Sequence, residues 1–513
     1  MKKSARCSCT SKLLIITAAI GAVAGAMVML ARQMTSTEIA LYRKPTYQIP
    51  ESWTPVKSLS TADNALANLA YEGLFSIDRT LGIQPQLVES WKLDTSGTNY
   101  TFNIKKGVRF HDGTVLASRH VTEMFRNLVD KDSPVRLRYA RIKQVVAFDE
   151  FTVKVELKSP YPPFISLLAA PAAKLAIQSE QSPYPYGTGA FRIVGLNENV
   201  DNKTLLLERF DGFHGEKPAI RRMELVEADQ KSAIEGVLAG TFHDSVIYPY
   251  FKITDERLKA SKAVRQNVAS TTTWVLALNS GSGPTSDVRL RRCLSQSFDR
   301  KKFIAGFIPE QSPALGIIPP TLSGSSMVKP ADMPRENCHG FSGIRLKLVY
   351  PEVLERGAEM CAAFSSDFEK IGVQIRCEGL PFDKLLRRIT KKDFNIAFLA
   401  QTLDLPDVEY FLEAFESTAP YNLSNYRSKT LDHALAMARQ EPDRARRAGY
   451  FAEIDRELYR NAVTINISYP PHISYWNRCL ENNALSMAGE SYADYEVIKA
   501  RRGCRIQADG RTQ

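Results

Sequence analysis

The segment 345–377 constrains the fold more than any other part of this sequence, because strand and helix patterns follow one another there in a fixed order. Leu346, Leu348 and Tyr350 stand at every second position, which is typical of a strand. Apolar residues at helical spacing follow, and Gly372 marks the end of that helix before a second short strand. This order predicts a β-α-β unit and an α/β class for the carboxyl-terminal half.

The chain is too long for a single hydrophobic core. It has 513 residues, whereas one domain usually contains roughly 100 to 200. With 44% hydrophobic and 24% charged residues, its composition is that of a globular protein. Turn-rich segments at 182–189 and 280–284 separate regions of regular pattern. We therefore predict two or three lobes, with changes of lobe near residues 187 and 270.

The first thirty residues predict export from the cytoplasm. Lys2, Lys3, Arg6 and Lys12 precede the uncharged apolar run 13–30, which is the pattern of a secretory signal. Small residues in this run offer cleavage sites, but the run also reaches the lower length limit of a membrane span. Residues 1–30 are therefore either a signal peptide or an inner-membrane anchor, and both alternatives place the bulk of the chain in the periplasm.

Six cysteines follow this segment, and an even number in an oxidising compartment favours disulfides. They are Cys293, Cys338, Cys361, Cys377, Cys479 and Cys504. The sequence leaves all fifteen complete pairings open. One interpretation makes Cys293 and Cys361 free buried thiols on helix faces and places disulfides in turn-rich or terminal segments. We predict at least one disulfide.

Charge and motifs exclude several classes of function. The formal net charge is +11, but acidic residues lie among the basic ones and no basic stripe with aromatic residues predicts a nucleic-acid partner. The sequence contains no G-x-S-x-G, H-E-x-x-H, G-x-x-x-x-G-K-[ST] or C-x-x-C motif. His111-Asp112 stands without a histidine cluster, so we predict neither a metal site nor a cofactor. We predict a protein that is not an enzyme.

Several strings, in this order along the chain, resemble the family 5 extracellular solute-binding proteins, which include the oligopeptide and dipeptide receptors. The strings are 87–91, 100–114, 187–191, 207–209 with 217–218, 287–292 with 298–300, and 404–411. In this family the part of the string 100–114 that contains His111 forms a surface turn. The resemblance covers roughly residues 45–500.

The resemblance implies an α/β, two-lobed periplasmic-binding-protein fold of type II (cluster C-like) with an extra small inserted domain. Lobe I would consist of 40–77, 187–268 and 480–513, the small domain of 78–186, and lobe II of 269–479. Proteins of this shape close over a ligand by hinge motion. The implied function is a periplasmic receptor, a monomer, that delivers small peptides or similar solutes to an inner-membrane ABC permease. An exported peptide hydrolase and a membrane-tethered solute sensor are the alternatives.

The resemblance also implies site residues, of which Asp404 is the leading candidate. It aligns with the aspartate that binds the terminal ammonium of the peptide in related receptors, a contact strengthened in a partly dry cleft. The alternative is that the string Asp404-Leu-Pro-Asp407 only caps the following helix. Further candidates that align with cleft-facing segments are Gln401, Thr402, Tyr71, Glu72 and Tyr469.

The sequence departs from the family in two places that bear on ligand choice. Gln401 or Thr402 stands where a tryptophan is usual, and no arginine lies between Tyr350 and Leu354, where dipeptide receptors bind the ligand carboxylate. Gln401 could hydrogen-bond a peptide amide instead. The resemblance therefore implies a peptide-like ligand without implying a dipeptide.

Overall fold

A computed structural model describes residues 38–50, 52–58, 60–198, 202–247, 253–325, 328–354, 356–403, 405, 407–419, 422–502 and 504. The predicted signal peptide or anchor, residues 1–30, lies outside these ranges. Within the described part of the chain, no helix is both long and apolar enough to cross a membrane.

The strands, in chain order, are β1 (Tyr42–Thr46), β2 (Phe75–Ile77), β3 (Ile83–Pro85), β4 (Val88–Leu93), β5 (Asn99–Ile104), β6 (Ile142–Ala147), β7 (Thr152–Leu157), β8 (Phe191–Glu198), β9 (Lys203–Arg209), β10 (Arg222–Glu227), β11 (Asp244–Ile247), β12 (Ala263–Val268), β13 (Thr272–Leu278), β14 (Ser312–Pro313), β15 (Arg345–Pro351), β16 (Gln374–Leu380), β17 (Ile396–Thr402), β18 (Thr464–Tyr469) and β19 (His472–Asn477).

The α-helices are α1 (Thr61–Ala70), α2 (Ser118–Val129), α3 (Phe164–Leu168), α4 (Gln230–Ala239), α5 (Asp255–Ala260), α6 (Val288–Ser297), α7 (Arg300–Phe307), α8 (Gly357–Glu369), α9 (Phe382–Thr390), α10 (Val408–Leu412), α11 (Lys429–Ala438) and α12 (Arg444–Arg460).

We propose that two sheets build lobe I. One has the strand order β1-β10-β9-β8, in which β1 runs parallel to β10 and the other pairs are antiparallel. The second is antiparallel and has the order β11-β19-β12.

Helix α1 starts with a capping box formed by Ser60 and Asp63. Its apolar residues pack into the core of the lobe beside β8 and β9.

A glycine-containing loop packs against the end of α1. A Cβ atom on Gly187 would lie 2.1 Å from the carbonyl oxygen of Ala70, so only glycine permits this approach. The side chain of His111, from another part of the chain, packs against the same loop. Its Nδ1 accepts a hydrogen bond from the backbone N–H of Gly187 (3.2 Å), and its Nε2 lies 3.0 Å from the carbonyl oxygen of Gly189. The surface turn implied for His111 is wrong: the ring is buried, and burial lowers its pKa to about 4.

The small domain contains the antiparallel sheet β4-β5-β7-β6 and helix α2. Tyr100, Phe102 and Ile104 are buried on one face of β5, as the alternation of apolar and polar residues in this strand indicates. The hydrophobic core of this region consists mainly of residues between Leu74 and Leu175 and is completed by Leu405, Ala488 and Tyr492. We therefore propose that the small domain coincides closely with the predicted range 78–186.

The sheet of lobe II has the order β14-β18-β13-β17-β15-β16. The predicted β-α-β unit is confirmed, because β15 runs parallel to β16 and α8 connects them. Gly372 lies in the left-handed region with a φ of 83°, as expected for a residue that ends this helical segment. Strand β13 is buried along its whole length. The next helix, α6, is capped by Asp287, whose carboxylate accepts a hydrogen bond from the backbone N–H of Arg289, a common role of aspartate before a helix.

The chain passes between the lobes at two adjacent points. Strand β12 leads into β13 through residues 269–271, and β18 leads into β19 through Pro470 and Pro471. The hydroxyl of Ser270 donates a hydrogen bond to the carbonyl oxygen of Pro470 and joins the two crossings. Because β19 pairs with β11 and β12, we propose that lobe II ends at Tyr469, before the predicted boundary at residue 479.

Three disulfides pair the six cysteines, as Cys293–Cys338, Cys361–Cys377 and Cys479–Cys504. The prediction of at least one disulfide is confirmed. The interpretation of Cys293 and Cys361 as free thiols is wrong, because each lies on a helix that packs against a segment carrying a second cysteine. Helical periodicity shows that such residues are buried but not which residue lies opposite them.

Replacing both Cys293 and Cys338 with serine should lower the free energy of unfolding by about 4 kcal/mol, because the disulfide restricts a long loop of the unfolded chain. This pair is separated by 45 residues, and Cys361–Cys377 by 16. The second pair should therefore contribute less, about 3 kcal/mol. Denaturant unfolding of the two double variants under oxidising conditions measures both losses. A larger loss for the shorter loop would contradict this order.

Candidate ligand-binding cleft

A cleft of about 300 Å³ lies between the two lobes, beside the crossing at Pro470 and Pro471. Lobe I contributes the end of β1, the start of α4, part of β11 and the loop 488–491. Lobe II contributes one end of β13 and of β17. Ligand pockets usually measure about 300 to 1,000 Å³, so this cleft suits a small solute.

Two neighbouring strands form the lobe II wall. Across β13 and β17, Thr272 pairs with Thr402 and Trp274 pairs with Ala400, so these four side chains share one face of the sheet. All four residues line the cleft. The two threonine hydroxyls are hydrogen-bonded at 3.0 Å, and Phe398 packs edge-on against the Trp274 ring at 5.6 Å. The lobe II wall therefore presents the hydroxyls of Thr272 and Thr402 beside the indole of Trp274, which packs against Phe398.

The lobe I wall carries the charge of the cleft. Glu490 lines the cleft, and its side chain is 29% exposed. Its Oε1 accepts a hydrogen bond from the Lys44 ammonium at 2.7 Å, and that ammonium also lies 3.8 Å from a carboxylate oxygen of Asp244. The side chains of Lys44 and Asp244 are only 6% and 5% exposed. Glu490 is therefore the exposed member of a buried cluster of three charges.

Burial and charge act against each other in this cluster. Burial by itself lowers the pKa of Lys44, but the carboxylates of Asp244 and Glu490 outweigh it and hold the pKa above its ordinary value. Burial raises the pKa of Asp244, and the Lys44 ammonium offsets part of this rise. Lys44 is thus the cation that allows two carboxyl groups to lie beside the cleft.

Two further side chains of lobe I give the cleft polar and aromatic surface. Burial lowers the pKa of His472, so its ring is neutral at neutral pH. The Nε2 atom of His472 is buried and has no hydrogen-bond partner within the described part of the chain. Tyr47 stands at the rim with 72% of its surface exposed.

Of the residues that the sequence proposed for the site, Thr402 lines the cleft. Gln401 is its neighbour on β17 and points to the other face of the sheet, because successive side chains of a strand alternate. The Gln401 side-chain amide donates a hydrogen bond of 3.4 Å to the backbone carbonyl of Phe411 on α10. The peptide contact suggested for Gln401 stays a prediction.

Asp404 lies outside the described residues, but its neighbours show how this segment is anchored. Thr402 ends β17 at the cleft, and Asp407 caps α10 by accepting a hydrogen bond from the backbone N–H of Glu409 at 3.1 Å. Arg447 donates to both carboxylate oxygens of Asp407, at 2.7 and 2.6 Å. The carboxylate that caps this helix is therefore that of Asp407.

The side chains of Tyr71, Glu72 and Tyr469 bond to groups of their own lobes. The Tyr71 hydroxyl donates to a backbone carbonyl at 2.8 Å, and the Glu72 carboxylate lies 2.9 Å from Nε2 of His214 in lobe I. The Tyr469 hydroxyl donates to the carbonyl oxygen of Gly316 at 2.8 Å. None of these three belongs to the cleft lining described above, and their ligand roles stay predictions.

The sequence did not predict two important side chains of the cleft lining, the indole of Trp274 and the carboxylate of Glu490. Trp274 lies in a largely apolar strand that is buried on both faces, so its sequence does not reveal which face meets the other lobe. Glu490 lies in a carboxyl-terminal segment without regular periodicity. One feature of the sequence could have pointed to this strand. A run of threonines before Trp274 places polar residues at the start of an otherwise apolar strand.

Replacing Lys44 with methionine should lower the free energy of unfolding by about 3 to 5 kcal/mol at neutral pH, because it leaves buried carboxylates uncompensated. The loss should shrink as the pH falls. Asp244 has a folded-state pKa above its unfolded value, so protonation relieves the unpaired charge in the folded state.

Denaturant unfolding of Lys44→Met at several pH values measures this loss. Lys217→Met, which changes an exposed lysine of the same lobe, is the control and should unfold like the parent protein. A loss that does not depend on pH would contradict the role assigned to Lys44.

Residues 82–422, more than half of the chain, match the family described as bacterial extracellular solute-binding proteins, family 5. The glutathione-binding protein GsiB of Escherichia coli K12 is 25% identical over 296 residues, which cover 54% of this chain and 56% of GsiB. This chain therefore matches little more than half the length of that relative. Protein XP55 of Streptomyces lividans is 24% identical over 438 residues, 79% of each chain.

Solved structures with the same fold cover most of the chain. The DppA protein of Helicobacter pylori, in complex with the peptide STSA, superposes with a TM-score of 0.77 at 18% identity and covers 90% of this chain and 99% of its own. AppA of Bacillus subtilis, bound to a nonapeptide, gives a TM-score of 0.76 at 17% identity and covers 91% of this chain and 100% of its own. The fold is thus that of the two-lobed periplasmic binding proteins, and with the match over 82–422 it follows that this chain belongs to the bacterial extracellular solute-binding proteins, family 5.

Proposed function

We propose that this protein is the substrate-binding receptor of an ABC-type importer and binds a peptide or a similar small solute. The observation that carries the proposal is the cleft between two separately packed lobes, beside two adjacent chain crossings. Hydrogen-bonding groups and an indole line the cleft, which suits recognition of a polar organic solute. The names of relatives support this ligand class, since GsiB is called glutathione-binding and DppA and AppA were solved with peptides.

The proposal includes binding and release without chemical turnover. The mature receptor would act in the periplasm as a monomer and deliver its ligand to an inner-membrane ABC permease. Its two lobes would close by rotation about the crossings at 269–271 and 470–471, and ligand bound to both walls would favour the closed state. No cofactor takes part in such a cycle.

We further propose that Asp404 binds an ammonium group of the ligand. It follows Thr402 by two residues, and a chain of two residues spans at most about 7 Å. Thr402 lines the cleft, so a carboxylate from this part of the chain is within reach of a bound solute. The cap of α10 is supplied by Asp407, which leaves no need for a second capping carboxylate.

Asp404→Asn should weaken binding of an amine-bearing peptide by about 2 to 5 kcal/mol, because it removes one partner of a charge pair in a closed cleft. The free energy of unfolding should change little. Isothermal titration calorimetry measures the affinity. Asp383→Asn is the matched control, since Asp383 is an exposed residue of lobe II that pairs with Arg387 on the same helix. Equal affinities of Asp404→Asn and the parent protein would remove Asp404 from the site.

Ligand binding should also make the molecule more compact, because contacts to both walls favour the closed arrangement of the lobes. Small-angle X-ray scattering with and without saturating ligand measures the radius of gyration. A radius that stays unchanged at saturation, in a sample whose binding is verified by calorimetry, would contradict hinge closure.

A further inference from the structure

The electrostatic character of the cleft favours a ligand with a positive charge. Among the described residues that line the cleft, Glu490 is the one with a charged side chain at neutral pH, because burial keeps His472 neutral. The described lining contains no lysine or arginine that could pair with a ligand carboxylate. An anionic group would therefore lose its hydration without gaining a counter-ion.

The bond between Glu490 and Lys44 does not cancel this preference. The Glu490 side chain is 29% exposed and that of Lys44 is 6% exposed, so a solute in the cleft meets the carboxylate first. The ammonium lies behind it and is also shared with Asp244 at 3.8 Å. One cation thus compensates two carboxyl groups, and the exposed carboxylate keeps attraction for a second cation.

Aromatic groups complete a site for such a cation. Trp274 presents its indole from lobe II, and indole rings attract ammonium and guanidinium groups more than other aromatic side chains do. The exposed Tyr47 stands at the rim of the same cleft. His472 also lines the cleft, and its neutral imidazole adds no positive charge that would repel such a ligand.

We propose that the cleft selects basic solutes, peptides or related molecules that carry a side-chain ammonium or guanidinium, and that Glu490 and the Trp274 ring bind this group. The inference rests on the proposed receptor function. It adds a second cationic group to the amine assigned to Asp404. Glu490 belongs to lobe I, whereas Asp404 follows strand β17 of lobe II in the sequence. A ligand with both cations would bridge the lobes and favour closure.

The test compares peptides that differ only in the charge of one side chain. Ala-Lys and Ala-Lys-Ala are titrated against Ala-norleucine and Ala-norleucine-Ala, in which the aliphatic chain is kept and the ammonium is absent. The parent protein should bind the lysine peptides at least about tenfold more tightly, since a charge-assisted hydrogen bond in a closed cleft is strong.

Three variants locate the cation site. Glu490→Gln should reduce the preference for lysine over norleucine to about threefold or less, and Trp274→Leu should weaken the lysine peptides several-fold more than the norleucine peptides. Trp274→Leu leaves the Lys44 cluster intact, so it remains informative if Glu490→Gln is unstable. Glu216→Gln changes an exposed glutamate of lobe I and should keep the full preference.

Mass spectrometry of solute released from the purified, denatured parent protein gives an independent result, and a basic solute is expected. Equal binding of lysine and norleucine peptides, or release of a solute without a basic group, would overturn this inference and leave the receptor function intact. If the parent protein neither releases a solute nor binds any of the four peptides, the proposed peptide-receptor function fails, and this inference fails with it.

Discussion

The architecture depends on the two chain crossings that lie side by side between the lobes. The hydrogen bond from Ser270 to the carbonyl oxygen of Pro470 links them, and a second one, from the Thr271 hydroxyl to the carbonyl oxygen of Leu403, ties the first crossing to the end of β17. Within the four larger sheets of the described residues, each strand pairing joins strands of one lobe or of the small domain, whereas the short β2-β3 pair joins lobe I to the small domain. This leaves a cleft whose two walls come from independently packed units and meet along a narrow junction.

Charge is distributed around this junction in two buried clusters. On the lobe I side, Lys44 compensates Asp244 and Glu490 directly behind the cleft wall. On the lobe II side, Arg447 of α12 pairs with Asp407, the cap of α10, and Arg439, which follows α11, lies 2.7 Å from Glu409. Both clusters stiffen a segment next to the cleft, since removing one partner of a buried pair is strongly destabilising.

The second cluster also explains how the small domain is attached. The hydroxyl of Tyr161 donates to the Glu409 carboxylate at 3.2 Å and lies 3.0 Å from the hydroxyl of Tyr410. Leu405 packs into the small-domain core. The small domain is thus fixed to the part of lobe II that follows β17. Movements of this domain and of the segment that carries Asp404 should therefore be coupled.

The sequence by itself determined the elements, the α/β class and the family. The β-α-β unit, strand β13 and the Asp287 cap appear where the patterns place them, because periodicity and capping are local properties. Tertiary structure decided what depends on distant parts of the chain: the disulfide partners, the burial of His111, the strands that pair with β19 and the cleft lining. Trp274 and Glu490 are far apart in the sequence, and only the packing of the two lobes puts them on facing walls.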